Sequence, residues 1–325
     1  MKKVVTLGGG TGHHYLLRGL KNYDLDLTAV VSMIDNGGST GELRTELGVL
    51  APGDLRNCLL ALADETEIKD LTRLFEYRFS DDAGKLANHN AGNIILAVLD
   101  DLYGDMAKAV AVASKILRTK GRVFPVSLDD CHLFARTESG KLLKGEVEVS
   151  YPEQKERISE VWLEPKSYVY GEAAKSLREA DIIVICPGDL YGSVIPNFLT
   201  NGVNEAIRES KAKVVYVCNL VTKQGTYDFK VSDFVKEIER YSGRTPDYIV
   251  CNVKKPSKEV VDKYKKEASL FVEPDILGDS AFSGRSIGED LLIEREIGGK
   301  RVARHDSAKI ARIINSLAAD DTSKK

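Results

Sequence analysis

Lys3-Val4-Val5-Thr6-Leu7-Gly8-Gly9-Gly10-Thr11-Gly12-His13-His14-Tyr15-Leu16-Leu17 stands near the start of the chain. A short apolar run ends in glycines, and helical spacing then begins at Tyr15, Leu16, Leu17 and Leu20. That order predicts a strand, a glycine turn and a helix. Leu27 to Ile34 reads as a second strand ending at Asp35, so the opening is a βαβ unit with parallel strands and a right-handed crossover. Apolar strand-like runs recur at Asp181 to Cys186, Val214 to Cys218 and Tyr248 to Cys251, each followed by a helical pattern. Runs of this kind belong to strands buried on both faces, and a mostly parallel, doubly wound sheet is expected.

Between the first two strands and this later rhythm the pattern is helical. Pro52 opens a helix through Leu62, Lys69 to Tyr77 and Ala91 to Leu102 keep helix spacing, and Asp105 caps a helix reaching Ile116. Val123 to Leu128 reads as a strand. Leu133 to Arg136 and Leu142 to Val149 flank Thr137-Glu138-Ser139-Gly140, which predicts an antiparallel hairpin inserted at about residues 130–150. Ile195 to Glu209, Ser232 to Tyr241 and Ser257 to Lys266 read as helices, and a last one runs from His305-Asp306 through Leu317. One α/β domain over 1–319 is expected, with 320–325 as a frayed tail.

Composition narrows the function. The 325 residues are 43% hydrophobic and 29% charged, as in average soluble chains. The net charge of −3, from 46 basic and 49 acidic residues, argues against a nucleic-acid binder. Apolar runs of about five or six residues are far short of the ~20 that span a bilayer, and the N-terminal one stops too soon for a signal peptide. Five scattered cysteines without a C-x-x-C pair suit reduced thiols and a cytoplasmic location.

In doubly wound sheets ligands bind beyond the carboxyl ends of the strands. This chain puts its unusual residues there. Gly8 to Gly12 follows the first strand, and its bare amides at a helix start suit a phosphate. The spacing of its last glycine differs from the G-x-G-x-x-G dinucleotide fingerprint, which weakens an NAD-dependent oxidoreductase reading. Gly9, Gly10, Thr11 and Gly12 are the candidate contacts. Asp35 then runs into Asn36-Gly37-Gly38-Ser39-Thr40-Gly41, a second candidate cradle in which Gly37, Gly38, Ser39 and Thr40 offer amides and hydroxyls. Arg44 on the following helix has the reach to meet a phosphate oxygen. Asp35, with Asp54 in Pro52-Gly53-Asp54-Leu55-Arg56-Asn57-Cys58, is the candidate Mg²⁺ ligand set, since Mg²⁺ takes one or two carboxylates and keeps its waters. For Asp54 a purely structural role in the first helical turn serves equally well. Asn88, His89 and Asn93 lie in the polar cluster Asn88-His89-Asn90-Ala91-Gly92-Asn93, which would meet a base or sugar, or would simply cap a helix. Gly188 and Asn219 end two later strands. No zinc-ligand spacing, G-x-S-x-G elbow or Walker A motif occurs.

Several of these segments together resemble one family. Gly8-Gly9-Gly10-Thr11-Gly12, Asp35-Asn36-Gly37-Gly38-Ser39-Thr40-Gly41, Pro52 to Cys58, Pro187-Gly188-Asp189-Leu190-Tyr191, Val217-Cys218-Asn219-Leu220 and Arg304-His305-Asp306 look like the CofD-like family, in the order and wording of its YvcK branch, the gluconeogenesis factors. The resemblance runs from Lys3 to about Leu317. It implies a Rossmann-like core with the ligand across the strand ends. For the CofD branch it implies Mg²⁺-dependent transfer of a phospholactyl group from a guanosine diphosphate donor to a deazaflavin alcohol, as in 2-phospho-L-lactate transferase. For the YvcK branch it implies binding of a nucleotide sugar such as UDP-N-acetylglucosamine, and a role in cell shape and envelope synthesis on gluconeogenic carbon sources. Tyr264 and Arg304 match positions that the branch associates with the nucleotide sugar, and Asn219 and Asp228 are expected to shape the acceptor or sugar side. The chain departs from the family where two successive aspartates become Asp35-Asn36, where Gly-His-Ser-Leu-Gly-Asn becomes Asn88 to Asn93, where Ser-Leu-Tyr-Thr-Ser becomes Asp189 to Ser193, and where Gly225 to Phe229 is shortened and loses a glutamate. The expected partner is therefore a nucleotide or nucleotide sugar, with Mg²⁺ as the candidate cofactor and homo-oligomer formation left open.

Overall fold

A computed structural model describes residues 1–64, 68–152 and 156–319. The expected frayed tail at 320–325 lies outside them. The opening stretch folds as β1 (Lys2–Gly8), α1 (Gly10–Leu20) and β2 (Leu25–Val31), with β1 parallel to β2. Val4, Val5 and Leu7 in β1 are all buried, because helices cover both faces of this central strand. Then come α2 (Gly38–Leu47), α3 (Pro52–Leu62), α4 (Lys69–Glu76), α5 (Ala91–Tyr103), α6 (Met106–Ile116) and β3 (Arg122–Pro125). Asp105 caps α6 by accepting from the Ala107 and Lys108 amides.

Next is a three-stranded antiparallel sheet of β4 (His132–Thr137), β5 (Leu142–Lys144) and β6 (Ile158–Glu164), in the order β5-β4-β6. The second hairpin strand is shorter than Leu142 to Val149. Gly145, at φ 87°, ends it, and Glu146–Ser150 turns into the short helix α7. The alternation of Val147, Val149 and Tyr151 imitates a strand, but only a glycine tolerates the positive φ that breaks it.

The α/β rhythm resumes with α8 (Gly171–Arg178), β7 (Ile182–Ile185), α9 (Ile195–Leu199), α10 (Val203–Glu209), β8 (Lys213–Val217), α11 (Val231–Ser242), β9 (Tyr248–Asn252) and α12 (Lys258–Lys266). The single helix expected from Ile195 to Glu209 is two, separated at Thr200-Asn201-Gly202, and a π-turn at Leu190–Val194 precedes them. Last come β10 (Ser286–Glu289), the hairpin β11 (Leu292–Ile297) and β12 (Lys300–His305), and α13 (Ser307–Ala319). The second strand leaves its sheet at Val31, three residues short of Ile34, and the Val123 strand stops at Pro125, which cannot donate to a ladder.

The main sheet has seven strands in the order β10-β9-β8-β7-β1-β2-β3, and every pairing in it is parallel. On one side α1 packs on α3 and α13; elsewhere α10 packs on α8 and α9. This is a Rossmann-like, doubly wound α/β fold. From β1 the chain winds outward through β2 to β3, then returns to β7 on the other side of β1 and winds out to β10. The order therefore reverses between β1 and β7, and a crevice must open above their carboxyl ends.

Candidate functional site

The crevice is present and measures about 520 Å³. One wall is Gly10 to Gly12 at the start of α1. Facing it are Gly188 and Asp189 after β7, and Asn219 through Lys223 after β8. Tyr264 of α12 and Arg304 and His305 of β12 close one end, while Glu146 and Tyr151 reach over it from the inserted module. Gly12 shows why a side chain is excluded from the first turn: a Cβ there would lie 1.9 Å from the Pro187 carbonyl oxygen. The β1 and β7 loops can meet only through a glycine.

A smaller recess of about 190 Å³ joins the crevice at Gly10, Glu146 and Ser193 and is lined by Ser32, Asp35 and Asp54. Asp54, in the first turn of α3, accepts the Gly10 amide at 2.7 Å on Oδ2. Asp35 accepts the Gly37 amide at 2.9 Å on Oδ1. Burial, with Asp35 close by, pushes the Asp54 carboxyl up to about 7 against the pull of the Gly10 amide. Burial also raises Glu146, opposed by the Ser150 hydroxyl it accepts from at 2.7 Å. Two carboxylates crowded in this way suit a cation. Each keeps one oxygen that makes none of these backbone bonds, and the buried Ser32 Oγ has no partner among the described residues. No group of three His, Cys, Asp or Glu side chains with metal-holding geometry occurs among the described residues. The all-oxygen set of Asp35, Asp54 and Ser32 still fits Mg²⁺, which keeps several waters.

The crevice also holds buried polar atoms without partners among the described residues. Asn219 donates through Nδ2 to the Gly188 carbonyl, which ties the β7 and β8 loops together, but its Oδ1 has no partner among the described residues. Arg304 donates through Nη1 to the Ala303 carbonyl at 2.9 Å, while its buried Nε has none among those residues. Tyr264 accepts the Ala303 amide at 3.2 Å, which fixes its ring beside Arg304. Such atoms cost free energy unless a ligand or water reaches them.

Other expected residues lie elsewhere. Gly9 backs Asp54 from behind, where a Cβ would come within 2.7 Å of Oδ2. Gly37 serves the Asp35 turn and Gly38 begins α2, and neither lines the crevice or the recess. Ser39 and Thr40 are buried, and Ser39 Oγ lies 3.2 Å from His89 Nδ1 and accepts from Asn90 and Asn93. Asn93 also accepts from Arg56 at 2.9 Å, and His89 Nε2 lies 3.1 Å from the Glu42 carboxylate. Asn88 is exposed. These groups join α2, α3 and α5 beside the site. Arg44 is turned away from it, donating to the Asp35 and Cys131 carbonyls and pairing with Asp130 at 2.7 Å. Asp228 pairs with Arg157 through both oxygens and lines a separate cavity of about 370 Å³.

Lys223, Glu146 and Ser32 were not singled out by the sequence. Lys223 stands four residues beyond Asn219 on the same strand exit, a usable signal. Glu146 was hidden inside an expected strand, and a lone serine carries no signal.

Comparison with known proteins bears on the family and the fold. The profile described as 2-phospho-L-lactate transferase CofD matches residues 4–292. The chain belongs to the CofD family. Within the CofD family its relatives are the YvcK-type gluconeogenesis factors. A relative from Thermotoga maritima, provisionally named a gluconeogenesis factor, is 44% identical over 320 residues, covering 97% of this chain and 99% of that one. The gluconeogenesis factor of Bacillus subtilis is 37% identical over 319 residues, 97% of this chain and 98% of that one. A crystal structure of a Bacillus halodurans protein superposes with a TM-score of 0.90 at 37% identity, covering 97% of this chain and 99% of that one. No helix among the described residues is long and apolar enough to cross a membrane.

Proposed function

We propose that this CofD-family chain binds a nucleotide sugar of the UDP-N-acetylglucosamine type in the crevice above β1 and β7, and acts in the cytoplasm in cell shape and envelope synthesis during growth on gluconeogenic carbon. The observation that carries this reading is the convergence of the Gly10–Gly12 turn with the orphaned Asn219 Oδ1 and Arg304 Nε. Amides at the start of α1 favour an anion, so the diphosphate lies against them. Asn219 and Arg304 then contact the rest of the ligand, with Tyr264 beside them. Calorimetry with UDP-N-acetylglucosamine, GDP and NAD tests it. Preferential, saturable binding of the UDP-sugar without turnover is expected, and heat only from GDP or NAD would overturn it.

The acidic recess favours a second reading, a transferase of the 2-phospho-L-lactate type. An acceptor hydroxyl would attack the distal phosphorus of a guanosine diphosphate donor, and the anhydride P–O bond would break to release GMP. Asp35, Asp54 and Ser32 would hold Mg²⁺, which supplies charge neutralisation at the phosphates. The Thr11 and Gly12 amides would stabilise charge on the leaving phosphate, the Gly10 amide being held by Asp54. Release of GMP from such a donor in the presence of a deazaflavin alcohol would establish this reading over the first.

A further inference from the structure

Asp189 and Lys223 form an ion pair inside the crevice, with Lys223 Nζ 2.6 Å from Asp189 Oδ2. The aspartate is nearly inaccessible, at 9% exposure, and its other oxygen accepts the Gly192 amide at 2.8 Å. Its place is therefore fixed by backbone. The Lys223 side chain is 35% exposed, and its ammonium lies 4.5 Å from the centre of the Tyr151 ring. An ammonium has three donors. One faces Asp189, one face of the group rests on Tyr151, and Lys223 itself lines the crevice. Glu146 lines the same space, so the charges around Lys223 sum to about −1 when both acids are ionised. Burial lowers the Lys223 ammonium's affinity for its proton, but Asp189 more than reverses this and keeps it charged.

A diphosphate gains little at such a place, because the positive charge there is already more than matched. A neutral group rich in hydroxyls gains more: the ammonium donates to a hydroxyl oxygen and Glu146 accepts a hydroxyl proton, without any net charge to repel. We propose that Lys223, held by Asp189 and resting on Tyr151, is a specificity-determining residue that reads the neutral, hydroxyl-bearing group attached beyond the diphosphate. This rests on the nucleotide-sugar reading and deepens it.

The test is calorimetry with two probes, UDP-N-acetylglucosamine and UDP, on the wild type, Lys223→Met and Asp189→Asn, with thermal melts to establish that each variant is folded. Lys223→Met is expected to lose about tenfold in affinity for the sugar nucleotide while UDP changes less than about twofold, and Asp189→Asn to shift in the same direction by less. An equal loss for both probes would assign Lys223 to the phosphates and overturn the proposal, as would no loss for either. Should Lys223→Met not fold, Lys223→Gln carries the same criterion. A wild type that binds neither probe overturns the nucleotide-sugar reading itself, an outcome distinct from a wild type that binds both while the variants show no selective loss.

Discussion

Two polar clusters flank the same end of the sheet and differ in where their hydrogen bonds finish. The cluster of Ser39, His89, Asn90 and Asn93 closes on itself and on Glu42, Glu76 and Arg56. Its one orphan among the described residues is Arg56 Nε. The crevice, with its recess, opens to solvent and leaves Ser32 Oγ, Asn219 Oδ1 and Arg304 Nε without a partner among the described residues. Both clusters looked alike as strings of Asn, His, Gly and Arg. What separates them is satisfaction: a closed network adds stability and rigidity, whereas an open one is maintained at a cost that a ligand can offset.

Acid titration should expose the largest difference. His305, in the crevice wall beside Cys218, is pushed down to about 4 by burial, and His13, beneath the β1 loop, to about 3. The unfolded chain binds protons at these imidazoles from about pH 6.5 downward while the fold does not. Their contribution is complete above that pH and is lost at ~1.4 kcal/mol per pH unit for each as pH falls, until the folded values are passed. Asp54 acts in the opposite sense below about 7. Urea unfolding of His305→Gln against wild type, compared between pH 6.5 and 4, isolates the His305 share, and parallel slopes would remove it.

Asn93→Ala should cost about 2–4 kcal/mol in urea unfolding, because Ser39 Oγ and the Arg56 guanidinium lose a buried partner. Its ligand affinity should stay within about twofold. A folded Asn93→Ala protein that no longer binds would merge the two clusters into one site. Arg304→Ala should do the reverse, weakening UDP-N-acetylglucosamine about tenfold or more while stability changes by less than about 1 kcal/mol. Unchanged affinity would take Arg304 out of the site. The smallest effect belongs to Asp228→Ala. Its pair with Arg157 is about half exposed and is worth about 0–1 kcal/mol, and no change in affinity is expected.

Much of the core was legible because buried parallel strands leave uninterrupted apolar runs. The runs Val4 to Leu7, Asp181 to Cys186 and Val214 to Cys218 match β1, β7 and β8 within about two residues at each end. The edge elements were not. Strand β10 carries Ser286, Gly288 and Glu289 and lacks the buried-strand pattern. The β11–β12 hairpin is interrupted by Glu294, Arg295, Glu296, Lys300, Arg301 and Arg304, and its only plain signal is the Gly298-Gly299 pair, both at positive φ. Strand β6 alternates, but it pairs with β4 across a long sequence gap that local pattern does not encode.

The sheet class, the position of the glycine turns and the family were readable from residue order alone, since they depend on local periodicity and on residues that keep their order along the chain. Which polar residues share a space followed from the folding of distant segments onto one another. That folding turned Arg44 onto carbonyls and Asp130, brought Asp54 to Gly10 from 44 residues away, and set Lys223 against Asp189. The reason is that a side chain's partners are fixed by where strand ends converge, and that convergence follows from the reversal of strand order between β1 and β7.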